Sequence, residues 1–444
     1  MMNLANEVTY RLEYLHQVIE SHDETGIQTW LKFFKAALDR SHFDECGRML
    51  LMVRRSSRCS SSLTLRSVVV HNEGLLRLSQ GCLDEAEQCF AEALVLYHEA
   101  GDRYNEAQCL TNLGEVCRLR GQWQSAIQFY QSSKPILEEL DNPTGLAQVY
   151  NNIGLASMSL GHWAEADQAF ERALSLFQQI NDQVETARAL NNLGRLYRER
   201  GEGQKALQYL QAALTEFQRL GDEYSQASVL NNLGALHCWR NEWDQAKACY
   251  ERSLELAWRV GDHTGVAHTF NNLGELSRMA DDFEGALKLY RQGLEIAQVL
   301  DDHPILAAIK GNIGLAAAGQ GQWKEAVSQY RESLELKAQL GDLKGQAITL
   351  NNLGVAYEHL GSIDEAISSY RTAVSLFKQV GNAVNAAATL INLSQPPVGH
   401  ELSINERRRC LREAIALLSG AEAVERQRLA ARLLAELKGA NEDR

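Results

Sequence analysis

Asparagine recurs in this chain at a spacing that could do chemistry. It stands at 72, 112, 152, 192, 232, 272, 312, 352 and 392, a constant step of 40. A second asparagine precedes it at Asn151, Asn191, Asn231, Asn271 and Asn351. A carboxamide offers both N–H donors and a carbonyl acceptor, so a row of them can pair with the backbone of an extended peptide whatever its side chains. The same amides could instead bridge neighbouring elements, and both readings stand open for the 152 column. For the 151 column the binding reading is favoured, because asparagine is a poor helix former and a structural need is harder to name.

Arginine adds charge to the same stripe. Arg188, Arg195 and Arg198 are spaced by 7 and 3, which places them with Asn192 on one side of a helix. Arg118 and Arg278 occupy the Arg198 column two copies away on either side. A guanidinium is a planar fork that suits a carboxylate or phosphate. The expected chemistry is recognition of an acidic residue on a ligand; the alternative is that Glu185, Glu199 and their neighbours neutralise these arginines. The candidate surface comprises Asn112, Asn151, Asn152, Asn191, Asn192, Asn231, Asn232, Asn271, Asn272 and Asn352 with Arg118, Arg188, Arg195, Arg198 and Arg278.

Catalysis has little to work with. The sequence holds no HExxH, no GxSxG and no phosphate loop. His237 and His268 share the same side but lack a third metal ligand. No catalytic residue, metal or cofactor is expected, and the chain is read as a non-enzyme. A net charge of −13 argues against nucleic acid and against an anionic membrane surface. Nine cysteines without a CxxC pair read as reduced thiols in a cytoplasmic protein. Residues 1–20 carry Glu7, Arg11 and Glu13, so no signal peptide is expected there, and no apolar run is long enough to span a bilayer.

The elements that position these residues follow from the period. A glycine two places after the asparagine recurs at 74, 114, 154, 194, 234, 274, 314 and 354 and gives way to Ser394 at the end. A strict period of this length marks a repeat array. In the copy 347–386, Ala347, Leu350, Leu353, Gly354 and Tyr357 form the buried stripe of a first helix, capped by Asp342. Gly361 breaks it, Asp364 can cap a second helix, and Ala366, Tyr370, Ala373 and Phe377 form the facing stripe. Gly354 and Ala366 are small because the two helices approach closely there. Trp123, Trp163, Trp243, Phe283 and Trp323 open second helices and read as plugs between hairpins.

The organisation expected is an N-terminal helix and degenerate first repeat over 1–66, eight repeats over 67–386, and a degenerate last repeat with capping helices over 387–444. Ser21–Thr25 should end the first helix, and Arg54–Ser62 should be a loose turn or frayed end. Pro135 should bend or shorten its helix, Pro396-Pro397 should stop the last repeat, and helices near 403–418 and 421–438 should cap it.

Leu350-x-x-Leu353-Gly354-x-x-Tyr357 followed by Ala366-x-x-x-Tyr370-x-x-Ala373 resembles the tetratricopeptide repeat in its long form. Arrays of that form occur in kinesin light chains, spindle-orientation adaptors of the Pins type and bacterial peptide-sensing regulators. The resemblance covers about 67–394. It implies an all-α, right-handed superhelical solenoid of antiparallel helix pairs whose first helices line a peptide-binding groove. Lys310-Gly311 stands where Leu350-Asn351 would be, which breaks the groove wall at that copy. The function expected is a cytoplasmic adaptor that binds a protein or peptide with acidic residues. The alternatives are a self-associating scaffold, hence a homo-oligomer, and a peptide-responsive regulator whose superhelix changes shape.

Overall fold

The computed structural model describes residues 2–20, 24–418 and 424–439, and these are helical nearly throughout. The chain divides into two compact units, Met1–Glu216 and Phe217–Arg444. In the first unit α1 (Met2–Glu20), α2 (Glu24–Asp39), α3 (Phe43–Arg55) and the short α4 (Ser57–Ser61) precede the regular pairs. These are α5 (Leu63–Ser79) with α6 (Leu83–Ala100), α7 (Arg103–Leu119) with α8 (Trp123–Glu139), and α9 (Pro143–Ser159) with α10 (Trp163–Gln179). After α11 (Gln183–Glu199), α12 (Gly203–Leu220) carries the chain on.

The second unit continues with α13 (Glu223–Trp239), α14 (Trp243–Val260), α15 (His263–Met279), α16 (Phe283–Leu300), α17 (His303–Gly319) and α18 (Trp323–Gln339). It ends with α19 (Leu343–His359), α20 (Ile363–Gln379), α21 (Ala383–Ser394), α22 (Val398–Glu401), α23 (Ile404–Leu417) and α24 (Val424–Gly439). Successive helices pack on one another from α1 to α11 and from α13 to α22, and α23 packs on α21 and α24. The fold is thus an all-α solenoid of antiparallel helix pairs.

The turns explain the regularity. A residue in the left-handed conformation falls every twenty positions, as Gly at 81, 101, 121, 161, 201, 221, 261, 321, 341, 361 and 381. Asp141, Asn181, Asn241, Asp281 and Asp301 fill the remaining places, the side chains that tolerate positive φ best. First helices then start on an acceptor: Asp102, Asn142, Asp182, Asp222, Asp262, Asp302, Asp342 and Asn382 each take the backbone N–H three residues on. Most second helices do without such a cap. In α20 the capping position is Ser362, and Asp364 lies in the first turn, where its charge opposes the positive helix end.

Seven pairs are held by a glycine under a ring, and in α11 and α12 Gly194 lies under Leu210 instead. A Cβ on Gly354 would stand 2.4 Å from the Tyr370 ring, closer than real atoms approach. Gly114 meets Tyr130, Gly234 meets Tyr250, Gly274 meets Tyr290 and Gly314 meets Tyr330 in the same way, while Gly74 and Gly154 meet Phe90 and Phe170. Where Ser394 replaces the glycine, its hydroxyl donates to Leu390 O at 2.7 Å, and the residue sixteen places on is Cys410 in place of a ring.

Several expectations are corrected. Pro135 lies inside α8, yet that helix runs seventeen residues like its neighbours, so it is not shortened. The serine-rich stretch after Arg55 holds the helix α4. Thr25 already belongs to α2, and Ser21–Asp23 lie outside the described residues. Of the plugs, Phe283 lies where a Cβ on Gly319 would strike its ring, and Trp323 stacks on His359 at 3.8 Å. Trp163 and Trp243 remain 38% and 40% exposed, too open to be plugs. α21 ends at Ser394 before the prolines. Leu411, Ala414 and Leu418 of the following segment bury against Val374, Leu390 and Ile391, and Leu429, Leu433 and Leu434 pack on the same cluster.

The glycine–ring contact makes a contrast measurable. Gly274→Ala forces a methyl into the Tyr290 ring and is expected to cost about 1–3 kcal/mol. Gly47→Ala, on α3 with nothing within 4 Å of the added carbon, is expected to gain roughly 0.5–1 kcal/mol. Urea-unfolding midpoints of the two variants should move in opposite directions.

Candidate functional site

The two asparagine columns are joined to each other. In the first unit Asn192 Nδ2 donates to Asn151 Oδ1 at 2.9 Å. In the second unit Asn272 donates to Asn231 at 3.2 Å, Asn312 to Asn271 at 2.9 Å and Asn392 to Asn351 at 3.3 Å. Each bond links residues 41 apart, from the 152 column of one first helix to the 151 column of the preceding first helix. These are rungs that tie neighbouring hairpins, and they satisfy half-buried amides that would otherwise lose water without replacement. Threonine extends them: Asn231 Nδ2 donates to Thr269 Oγ1 at 2.8 Å, and Thr389 Oγ1 donates to Asn351 Oδ1 at 3.1 Å. Asn191 and Asn232 are not without partners. The bridging reading of these amides is therefore realised in the fold, and the outer edges of the rungs stay partly exposed.

Three rungs depart from the pattern. Asn152 faces Thr111, whose hydroxyl is committed to Ala107 O at 3.0 Å. Asn352 faces Gly311, which has no side chain. Asn112 faces His71, with 3.2 Å between its Nδ2 and the ring Nε2, and Cys109 Sγ lies 3.4 Å from His71 Nδ1. Cysteine, histidine and asparagine in one hydrogen-bonded line have the composition of an activated nucleophile. The electrostatics run the other way. Burial pushes the Cys109 thiol up to about 12 and the His71 imidazole down to about 4. Neither forms its charged partner near neutrality, so the line acts as a buried clasp. With the Asn112 amide oriented as in the other rungs, Nε2 accepts and the ring proton sits on Nδ1, facing the sulfur.

The arginines fall into two groups. Arg118 and Arg278 are each closed on the glutamate three residues before: Arg118 Nε reaches Glu115 at 2.6 Å and Arg278 Nε reaches Glu275 at 2.9 Å. Tyr290 OH also donates to Glu275, at 3.1 Å. In α11 that glutamate position is Arg195. Arg188 pairs with Glu185 and Arg198 with Glu199, both at 2.6 Å. Arg195 is half-buried and makes no ion pair or side-chain hydrogen bond among the described residues. Burial holds its guanidinium below the usual value, the charge of Arg198 adds to this, and Glu199 opposes it. One feature escaped sequence reading, the half-buried Lys337; comparing its column with Phe177, Phe217 and Phe377 would have found it.

His237 Nδ1 lies 2.6 Å from Glu242 Oε2, and among the described residues no three His, Cys, Asp or Glu side chains converge as metal ligands. No described helix is long and apolar enough to cross a membrane.

The tetratricopeptide repeat pattern matches residues 66–139, 145–217, 225–299 and 282–339, and a second form of it matches 312–380. The chain belongs to the tetratricopeptide repeat family. No curated protein matches the chain. Among solved structures, a Rap protein complexed with Competence and Sporulation Factor is similar at 13% identity, over 81% of this chain and 99% of that one, with a TM-score of 0.58. The apo quorum sensor NprR of B. thuringiensis is similar at 15% identity, over 80% and 99%, with a TM-score of 0.54. A signal-transduction ATPase with a tetratricopeptide repeat sensor from Pyrococcus horikoshii aligns at 15% identity over 74% of this chain and 50% of its own, TM-score 0.53. At these identities the likeness is one of fold.

The buried histidine gives this tetratricopeptide array a pH dependence. His71 binds its proton near pH 6.5 when unfolded but only at about 4 when folded. Stability from this group is complete above pH 6.5 and is lost as pH falls toward 4, by about 2 kcal/mol at pH 5. Hydrogen exchange of Leu63–Leu119 should quicken between pH 7 and 5 beyond its intrinsic rate change, and His71→Asn should remove that loss.

Proposed function

We propose that the chain is a binding scaffold that holds a protein or peptide segment along the face carried by its first helices, without catalysing a reaction. The repeats over 67–386 supply that face, and 1–66 and 387–444 close its ends. The observation that carries the reading is Arg195. The same column holds Glu115 and Glu275, each neutralising an arginine of its own helix. In α11 the reversal to arginine leaves a half-buried cation with no ion pair among the described residues, and the only carboxylate whose charge acts on it is the more distant Glu199. A fold has no use for such a charge, which costs desolvation and gains no pair. A ligand with an acidic side chain supplies the missing partner, and Arg188 and Arg198 border the place where it would lie. The exposed edges of Asn151, Asn152, Asn191 and Asn192 can meet the ligand backbone beside it.

Support from relatives is of two kinds. The family is one of interaction arrays, and the Rap structure was determined with Competence and Sporulation Factor bound, in a fold that this chain matches over most of its length. A regulator that responds to a peptide is the form of this function that the Rap and NprR likeness favours.

A displayed library of random peptides, panned on the purified protein, tests the reading. Enrichment of peptides with Asp or Glu is expected. A hydrogen bond to a charged group in a sheltered site is worth roughly 1.5–3 kcal/mol, so Arg195→Ala with Arg198→Ala should weaken the best peptide at least tenfold. The double change to Glu should weaken it further, because repulsion is added to loss. Affinity should also fall with added salt. Equal calorimetric affinity for the double Glu variant would show that these arginines do not contact the ligand.

A further inference from the structure

The rung between α17 and α19 is built differently from all others described, and it bears on which ligand groups the binding face proposed above accepts. The acceptor position there is Gly311, so the Asn352 amide makes no side-chain hydrogen bond among the described residues. The space behind it is filled by Lys337 of α18. In that column the other repeats place Tyr97, Leu137, Phe177, Phe217, Ala257, Ala297 and Phe377, all buried in the core. The lysine stem runs past Gly345, where an added Cβ would stand 3.0 Å from its Cδ. Its Nζ donates to Thr349 Oγ1 at 2.8 Å and would lie 3.7 Å from a Cβ on Gly311. The ammonium therefore points into the notch that the glycine leaves, on a partly exposed stretch of α17.

The hydrogen bonds around the notch are unbalanced in one direction. Thr349 Oγ1 donates its proton to Gly345 O at 2.9 Å, and Ser333 Oγ donates to Ala307 O at 2.6 Å. An ammonium has three N–H donors and Lys337 uses one of them on Thr349; the amide N–H₂ of Asn352 is also unused. The unmet donors, two N–H of Lys337 and the N–H₂ of Asn352, outnumber the one amide acceptor left open, Asn352 Oδ1, and the charge among them is positive, so an anionic acceptor suits the notch. Burial holds the Lys337 amine below its usual pKa, and Asp342 opposes this only in part. Packing alone gives no reason for the lysine, since seven other repeats fill its column with apolar residues. Lys310, the neighbour of Gly311, is already paired with Glu332 and is not the free cation here.

We propose that the Gly311 notch is a carboxylate subsite of the binding face. An acidic side chain of the bound segment enters where an asparagine stands in five other repeats, accepts from Lys337 Nζ and Asn352 Nδ2, and completes the rung. The inference rests on the binding function proposed above, but it uses other residues than the arginine strip and can fail separately.

The experiment uses the full chain carrying Arg195→Ala and Arg198→Ala, so that the strip cannot take the probe. The probes are capped hexaglutamate, capped hexaglutamine and sodium glutarate, titrated by calorimetry. Saturable binding of hexaglutamate and none of hexaglutamine is expected. Lys337→Met and Asn352→Ala should each weaken it at least tenfold. Lys337→Met should hold or raise the melting temperature, because a thioether suits the column, so lost binding is not lost folding. Gly311→Asn should raise the melting temperature by closing the rung and should abolish binding. Glutarate binding with the same variant pattern supports the subsite and assigns the carboxylate to a free small acid. No saturable hexaglutamate binding, or binding by Lys337→Met and Gly311→Asn within twofold of the parent, overturns the proposal. Neither result touches the arginine reading, which is decided by comparing the parent with the chain in which Arg195 and Arg198 are intact.

Discussion

The structure depends on a glycine lying flat under an aromatic ring. That contact brings the two helices of a hairpin closer than any side chain on the first would allow, and the ring then fills the volume on either side. Its recurrence at 40 residues fixes how each hairpin presents its first helix to the next. Only because that placement repeats can an amide on one first helix meet an amide on the preceding one, 41 residues earlier. The rungs follow from the packing and do not set it. At Ser394 and Cys410 both members differ from the other copies, a serine for the glycine and a cysteine for the ring, and α21 and α23 still pack together.

A regular array satisfies itself, and so it has little left to offer a partner. Asn272 with Asn231, or Arg278 with Glu275, uses most of its bonding capacity inside the protein. Chemistry available to a ligand arises where one copy breaks the rule. Arg195, where Glu115 and Glu275 stand in two other copies, leaves a cation without an ion pair among the described residues, and Gly311 in place of an asparagine leaves the Lys337 and Asn352 donors open. His71 in the same column breaks the rule without offering anything, since burial keeps both it and Cys109 neutral and enclosed. The distinction between a departure that opens a site and one that merely repacks is electrostatic: the first leaves an unmet charge or donor at a partly exposed place.

Much of this was legible in the sequence. The step of 40, the glycine column facing Tyr370 and the capping aspartates such as Asp342 follow from composition and spacing alone. The rungs were not, because columns compare residues 40 apart and the bond spans 41, across two columns that look independent. Asp364 misled because an aspartate three residues after a glycine resembles a cap, whereas the turn places Ser362 there. Pro135 misled because a missing N–H suggests a break, yet a helix packed on both sides retains its length around one lost bond. The neutralisation of Arg188 and Arg198 could be anticipated from Glu185 and Glu199. The isolation of Arg195 could not, since it depends on which way those glutamates turn.

The left-handed residue at every twentieth position has a consequence for what counts as a unit. Turns within a hairpin and turns between hairpins recur at the same spacing with the same left-handed residue, so their backbone does not say where one copy ends and the next begins. The frame is conveyed by the Asp or Asn that caps most first helices and by side-chain size, through the asymmetry between a helix that carries glycine and a helix that carries a bulky residue. A chain cut and rejoined at either kind of turn would meet the same local geometry at its new ends. The natural module of this architecture is therefore a single helix with its turn, twenty residues long, and the hairpin is a pairing rule imposed on a sequence of such modules.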